Sequence, residues 1–296
     1  MTASTGNPAD PATPGTARKV AVVTGGARGI GRAVAALLIA RGYRVVLGDL
    51  DLAVTQATAE ELGPQASALR LDITDFALVE SVVATVEQTV GPIAVWINNA
   101  GIMPTGRFTE QGPALAGKVV DVDYRALVTV TGVVVARMLE RRSGTVVNMA
   151  SATALKPLAG LAVYSGTKAA VLAFSDSLRR ELRGTGVRIR VVLPNLVATD
   201  LGAGITAPRG FRALTADDVA EATVRAIGSR RFAVAVPGWL GPVLRVSRLL
   251  PLGLQDWVDD RVDSDRIGLG GDPATRAAYL RRVREEDGES DRPAAR

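Results

Sequence analysis

Short runs of β-branched and aliphatic residues alternate with longer helical stretches through most of this chain, and that alternation leaves few folds open. Residues 19–24, 43–48, 68–71, 93–97, 144–149 and 187–193 read as strands. Between them, 31–41, 53–61, 76–90, 116–141 and 162–183 read as helices. Strand–helix–strand units joined by right-handed crossovers assemble into a parallel sheet covered on both faces. The fold class expected is α/β, a single doubly wound parallel sheet with helices on both faces. One such domain over residues 19–236 accounts for most of the 296 residues.

The ends read differently. Residues 1–18, with Pro8, Pro11 and Pro14 among small polar residues, contain no apolar core of a secretory signal and are expected to be a disordered leader. Residues 284–296 form a charge run with Gly and Pro and are expected to be a solvated tail. Residues 237–283 form a C-terminal extension whose first part, 237–252, is unusually apolar. Packing against the domain or a subunit, a lid over a bulky lipophilic substrate, and an interfacial helix are the three readings, with lid or packing favoured over membrane contact. No run of about 18 apolar residues is uninterrupted, so no spanning helix is expected and the cytosol is the default compartment.

Composition narrows the chemistry. With no cysteine and no histidine, disulfides, thiolate metal sites, a cysteine nucleophile and every imidazole base or ligand are excluded, and no metal site is expected. The net charge of +5 comes from scattered basic residues, almost all arginine, and aromatics are only 4%. Neither forms the clustered, aromatic-laced surface of a nucleic-acid binder.

The first strand runs into Thr24-Gly25-Gly26-Ala27-Arg28-Gly29-Ile30-Gly31 and a helix follows at once. Glycines at such a junction let the backbone approach a pyrophosphate at a helix N-terminus, where unpaired N–H groups await an anion. No Gly-Lys-Ser/Thr follows, which argues against a nucleoside triphosphate. Asp49, 18 residues beyond Gly31, stands where a carboxylate accepts hydrogen bonds from adenosine ribose hydroxyls and repels a 2′-phosphate, favouring NAD. Arg28 pulls the other way, since a guanidinium in the loop suits a 2′-phosphate. Leu50 rather than a basic residue follows Asp49, and NAD is retained.

After the strand 144–149 comes Ser151, and the next helix carries Tyr164 and Lys168. Four residues apart, they share a helix face, and an ammonium there lowers the pKa of a phenol that would otherwise titrate near about 10.

In these features the chain resembles the short-chain dehydrogenase/reductase family over roughly residues 20–236: Thr24-Gly25-x-x-x-Gly29-x-Gly31, Asp72 in Leu71-Asp72-Ile73-Thr74, Asn98-Asn99-Ala100-Gly101, then Ser151, Tyr164 and Lys168. The resemblance implies a Rossmann-type sheet and assigns Tyr164 as acid/base, Ser151 as holder of the substrate oxygen, and Lys168 as a ligand of the nicotinamide ribose that depresses the Tyr164 pKa. It places Asp72 at the adenine and Asn99, Ala100 and Gly101 beside the cofactor. Gly25, Arg28, Gly29, Ile30 and Gly31 fall at its phosphates, and Pro194 and Thr199 near the nicotinamide. It also implies a homodimer or homotetramer paired through 116–141 and 162–183.

Two residues depart from the pattern. Asn195 replaces a usual glycine, and Asp123 stands where the family's helix asparagine supports a water relay to the lysine. An aspartate keeps acceptor oxygens but loses the amide donor, and its charge would stabilise the Lys168 ammonium while offsetting part of its effect on Tyr164. Reduced activity at neutral pH is expected. The function implied is hydride transfer between NAD(H) and a lipophilic secondary alcohol or ketone. An NADP-dependent carbonyl reductase and a weakly active dinucleotide-binding sensor or scaffold are the alternatives. Leu201-Gly202-Ala203-Gly204-Ile205 and Phe211 are expected to line an apolar substrate pocket.

Overall fold

The computed structural model describes residues 18–208, 210 and 212–285. Its order is β1 Val20–Thr24, α1 Gly29–Ala40, β2 Arg44–Asp49, α2 Leu52–Leu62, β3 Ala66–Arg70, α3 Phe76–Thr89, β4 Ile93–Asn98, α4 Phe108–Val120, α5 Leu127–Glu140 and β5 Gly144–Met149. Then follow α6 Ala162–Glu181, β6 Val187–Pro194, α7 Ala216–Gly228, β7 Ala233–Val236, α8 Leu240–Ser247, α9 Leu252–Val262, α10 Arg266–Leu269 and α11 Pro273–Glu285. The seven strands form one sheet in the order β3-β2-β1-β4-β5-β6-β7, every pair parallel. This is the doubly wound sheet expected.

Alternation of side chains along each strand builds two cores. Ala21 and Val23 of β1, Val45 and Leu47 of β2, and Ile97 of β4 meet Val34 and Leu38 of α1 and Val219 of α7 on one face. Val20, Val22, Val46 and Trp96 face the other way, onto Val79 and Val83 of α3 and Val130 and Val134 of α5. Polar side chains cross the sheet's middle in one buried ladder. Trp96 Nε1–H donates to Asn98 Oδ1 at 2.8 Å, and Asn98 Nδ2 donates to Asn148 Oδ1 at 2.8 Å and Thr131 Oγ1 at 3.0 Å. Asn148 Nδ2 then donates to Ser175 Oγ at 2.9 Å, tying β4, β5, α5 and α6 together.

Several expectations need correction. The helix expected over 116–141 is preceded by a turn from Phe108 that breaks at Gly112, where φ is +73°, just before Pro113, and it is interrupted by a π-helical turn over Asp121–Ala126. Strand β7 and helices α7, α9, α10 and α11 went unread, while α8 lies within the apolar segment for which an interfacial helix was one of three readings. Helix α11 reaches Glu285, so the expected tail from 284 is helical at its start, where the chain is still packed through Tyr279 and Val283. Residues 1–17 of the expected leader, the rest of the tail and Phe211 lie outside the described residues. In the C-terminal extension, Leu240 and Gly241 are buried, Gly241 close against Ala235, whereas Val243, Val246, Leu249 and Leu252 are exposed. Among the described residues no helix is long and apolar enough to cross a membrane.

Replacing Asn98 by alanine removes the acceptor of the Trp96 indole and the donor to Asn148 at once. With each orphaned buried polar group costing about 1–3 kcal/mol, Asn98→Ala is expected to lower unfolding stability by about 3 kcal/mol in urea titration. A loss below about 1 kcal/mol would mean that the ladder is not a stabilising feature.

Candidate active site

Parallel strands end at the same edge, and the loops beyond β1, β2, β3, β4, β5 and β6 surround one cavity of about 710 Å³. It lies outside the strand ends around the β1/β4 switch in strand order, where ligands bind in open α/β sheets. The glycine loop forms one end. Gly25 has φ +63°, and a Cβ on Gly31 would lie 2.0 Å from the Gly25 carbonyl oxygen, so the loop closes onto the start of α1 only with glycine there. Asn99 braces it, donating from Nδ2 to the carbonyls of Thr24 and Gly25 at 3.0 and 3.1 Å.

Asp49 at the end of β2 accepts from the Ala27 N–H at 3.0 Å through Oδ2 and from the Leu50 N–H at 2.9 Å through Oδ1. Its carboxylate is thereby fixed against the glycine loop. Arg28 pairs with Asp51 at 3.2 Å, both half-exposed, and Asp51 also caps α2 by accepting from the Val54 N–H. Asp72 lines the same end and accepts from the Thr74 N–H and hydroxyl.

At the other end stand Ser151, Tyr164 and Lys168, all buried. Ser151 follows β5 and accepts from the Thr153 N–H. Tyr164 and Lys168 are one turn apart on α6, with the ammonium 5.4 Å from the ring centroid. Lys168 Nζ donates to the Met149 carbonyl at 3.4 Å and lies 3.4 Å from Asp123 Oδ2. The π-helical turn brings Asp123 inward, where its Oδ1 accepts from the Ile102 N–H at 2.8 Å while Oδ2 makes no hydrogen bond. Gly101 makes room for this pair, because a Cβ there would sit 2.9 Å from Asp123 Oδ1 and 3.4 Å from Lys168 Nζ.

The electrostatics follow from burial. Burial raises the Asp123 carboxyl above its ordinary range, opposed by the Lys168 charge and the Ile102 bond. Burial also pushes the Tyr164 phenol up, the Asp123 charge pushes it further, and a hydrogen bond with Ser151 pulls it down. The arrangement can bind an alcohol or carbonyl oxygen at Ser151 and exchange its proton with the phenol.

A family model described as short chain dehydrogenase matches residues 19–210. The chain belongs to the short-chain dehydrogenase/reductase family. Within this family it is 40% identical over 223 residues to a 1-deoxy-11-beta-hydroxypentalenate dehydrogenase of Streptomyces exfoliatus, covering 72% of this chain and 81% of the relative. It is 31% identical over 183 residues to a 3-oxoacyl-[acyl-carrier-protein] reductase of Escherichia coli, covering 62% and 75%. Among solved structures, a short-chain dehydrogenase/reductase from Burkholderia phymatum in complex with NAD superposes with TM-score 0.72 at 25% identity, covering 78% of this chain and 93% of that one.

The sequence-predicted residues Gly25, Arg28, Gly29, Ile30, Asp49, Asp72, Asn99, Ala100, Gly101, Ser151, Tyr164, Lys168, Pro194 and Thr199 border this cavity, whereas Gly31 does not line it and packs behind the loop against Gly25. Asp123 sits behind it, against Lys168. Asn195 also borders it and donates its backbone N–H to the Val236 carbonyl. Of the expected substrate pocket, Leu201 and Gly202 line this cavity, while Ala203, Gly204 and Ile205 face a smaller neighbouring one. Residues 237–252 do not border it. Its outer wall is made instead by Ile267, Tyr279, Arg282 and Val283, together with Lys118 of α4. Sequence reading missed these because a charged helix gives no local sign of what it packs against.

Replacing Asp123 by asparagine removes the negative charge that raises the Tyr164 pKa. The rising limb of a pH profile for alcohol oxidation, set by loss of the phenol proton, is expected to move to lower pH, with turnover rising near pH 7. An unchanged or alkaline-shifted limb in Asp123→Asn would show that the carboxylate does not act on the phenol.

Proposed function

We propose that this oxidoreductase transfers hydride between NAD(H) and a lipophilic secondary alcohol or its ketone, with Tyr164 as acid/base. The observation that carries the reading is the convergence of Ser151, Tyr164 and Lys168 at one end of a cavity whose other end is the glycine loop with Asp49. The loop suits a dinucleotide, since the close approach of Gly31 to Gly25 leaves backbone rather than side chain facing a pyrophosphate.

The chemistry that bound NAD(H) would supply at this site is hydride transfer to or from the carbinol carbon. The protein handles position and protons. Gly25, Arg28, Gly29, Ile30 and Gly31 would hold the phosphates, Asp49 the adenosine ribose, Asp72 the adenine edge, and Asn99, Ala100, Gly101, Pro194 and Thr199 the nicotinamide half. Ser151 Oγ fixes the substrate oxygen, and Tyr164 Oη takes its proton in oxidation or gives one in reduction. Lys168 Nζ would hold the nicotinamide ribose and offsets negative charge developing on the phenol. Asp123 works against that offset, which makes activity weak at neutral pH.

Two observations support NAD over NADP: Asp49 is fixed against the loop by the Ala27 N–H, and Arg28 is engaged by Asp51. Solved relatives are described as complexed with NAD and with NADH. Being exposed, the Arg28–Asp51 pair is weak enough to be displaced, which keeps an NADP-dependent carbonyl reductase as the second reading. The lipophilic substrate class rests on the apolar side chains around Tyr164, among them Ile102, Met103, Leu161 and Ile267. We place the protein in the cytosol as a homodimer or homotetramer paired through α5 and α6.

Titration with NADH and NADPH, followed by quenching of tryptophan emission, is expected to show tighter NADH binding. Tighter NADPH binding would overturn the assignment to Asp49, and saturation by neither would overturn the cofactor reading. Tyr164→Phe is expected to retain NADH binding and lose turnover by at least about a hundredfold, the scale of a general acid–base contribution. Undiminished turnover would remove Tyr164 from the mechanism.

A further inference from the structure

The wall of the cavity opposite the sheet comes from α11, beyond residues 19–210 that match the family. Arg276 latches this helix to two loops at once. Its Nη2 donates to the Met103 carbonyl at 2.5 Å and its Nε to Thr105 Oγ1 at 3.0 Å, both after β4. Its Nη1 donates to the Leu201 carbonyl at 3.0 Å, after β6. The same guanidinium lies 4.5 Å from the centroid of the Tyr279 ring, fixing the ring where it borders the cavity.

Tyr279 is buried in the apolar cluster that also holds Tyr164, Ile102, Met103, Leu161 and Ile267. Its Oη accepts from the Met103 N–H at 2.9 Å. That bond uses an oxygen lone pair and leaves the hydroxyl hydrogen as a donor. Burial raises the Tyr279 pKa, with the Met103 bond opposing, so the phenol keeps its hydrogen at neutral pH. In a pocket lined by aliphatic side chains, a second phenol that is held rigidly and retains a donor can serve as a polar anchor for a ligand.

We propose that Tyr279 Oη–H donates a hydrogen bond to an oxygen of the substrate remote from the reacting carbinol or carbonyl. The substrate class is then a lipophilic hydroxy or oxo compound bearing a second oxygen acceptor, either a carboxylate or an acyl carbonyl. Arg282 and Lys118 border the same cavity, and the Lys118 ammonium donates to the Val283 carbonyl beside Tyr279's own helix turn. Arg282 is itself 3.8 Å from the Asp200 carboxylate, which borders the cavity too, so the charge on that wall does not select between the two acceptors. This deepens the hydride-transfer reading above and depends on it.

The test compares three probes that share a chain: decan-2-one, 9-oxodecanoate and methyl 9-oxodecanoate. Each is reduced with NADH by the full chain and by Tyr279→Phe, and each is titrated calorimetrically into the NADH complex. The readout is the ratio of kcat/KM for an oxygenated probe to that for decan-2-one, which a change in the folded fraction leaves unmoved. The variant is expected to lower that ratio by about tenfold, mainly through KM. A fall for 9-oxodecanoate alone assigns an anionic acceptor, and a fall for both assigns a neutral carbonyl acceptor. An unchanged ratio overturns the proposal and leaves Tyr279 a structural residue. NADH saturation with no binding of either oxygenated probe also overturns it while leaving the cofactor reading intact. Failure of NADH itself to bind overturns both.

Discussion

Parallel pairing forces every strand of a sheet to finish at the same edge, and the site depends on that constraint. Gly25, Asp49, Asp72, Asn99, Ser151 and Pro194 are scattered through the sequence, yet each stands at or just beyond the C-terminal end of a strand. Alternating side chains seal the sheet under helices on both faces, leaving this edge as the place where loops enclose a cavity. The buried ladder from Trp96 through Asn98 and Asn148 to Ser175 holds β4 and β5 level with α6. Ser151 and Tyr164, one after β5 and one on α6, meet because those elements are held together.

Burying Lys168 imposes a second constraint. An ammonium out of water needs opposite charge or good acceptors, and here it has the Met149 carbonyl and the Asp123 carboxylate. Asp123 reaches it through a π-helical turn, a feature that often marks functional positions in helices. The carboxylate answers the lysine's charge but also raises the phenol beside it. Structure and proton chemistry thus pull in opposite directions at one residue.

Legibility tracked the strength of local signals. Strand β5, buried along its whole length, was read with its observed bounds because a continuous β-branched run between helices admits little else. Strand β3 is half-buried, and its polar and small residues hid its start. Strand β7 has four residues and only Val236 fully buried, too short for periodicity to register. Helix α7 carried a usable signal that was passed over, the capping box of Thr215 and Asp218. Helix α11 offered little, since its composition is that of a solvated charged stretch and two of its buried residues, Arg276 and Tyr279, are of types usually left near water, with Val283 the one aliphatic among them.

The sequence by itself determined the doubly wound sheet, the glycine loop, and the Tyr164–Lys168 pair, because each rests on local spacing that survives without tertiary context. Only the tertiary structure decided that Asp123 contacts Lys168, that Asp51 engages Arg28, and that Arg276 and Tyr279 close the cavity. Those contacts join residues separated by tens of positions or more, and they form only when packing brings distant loops together at one edge of the sheet.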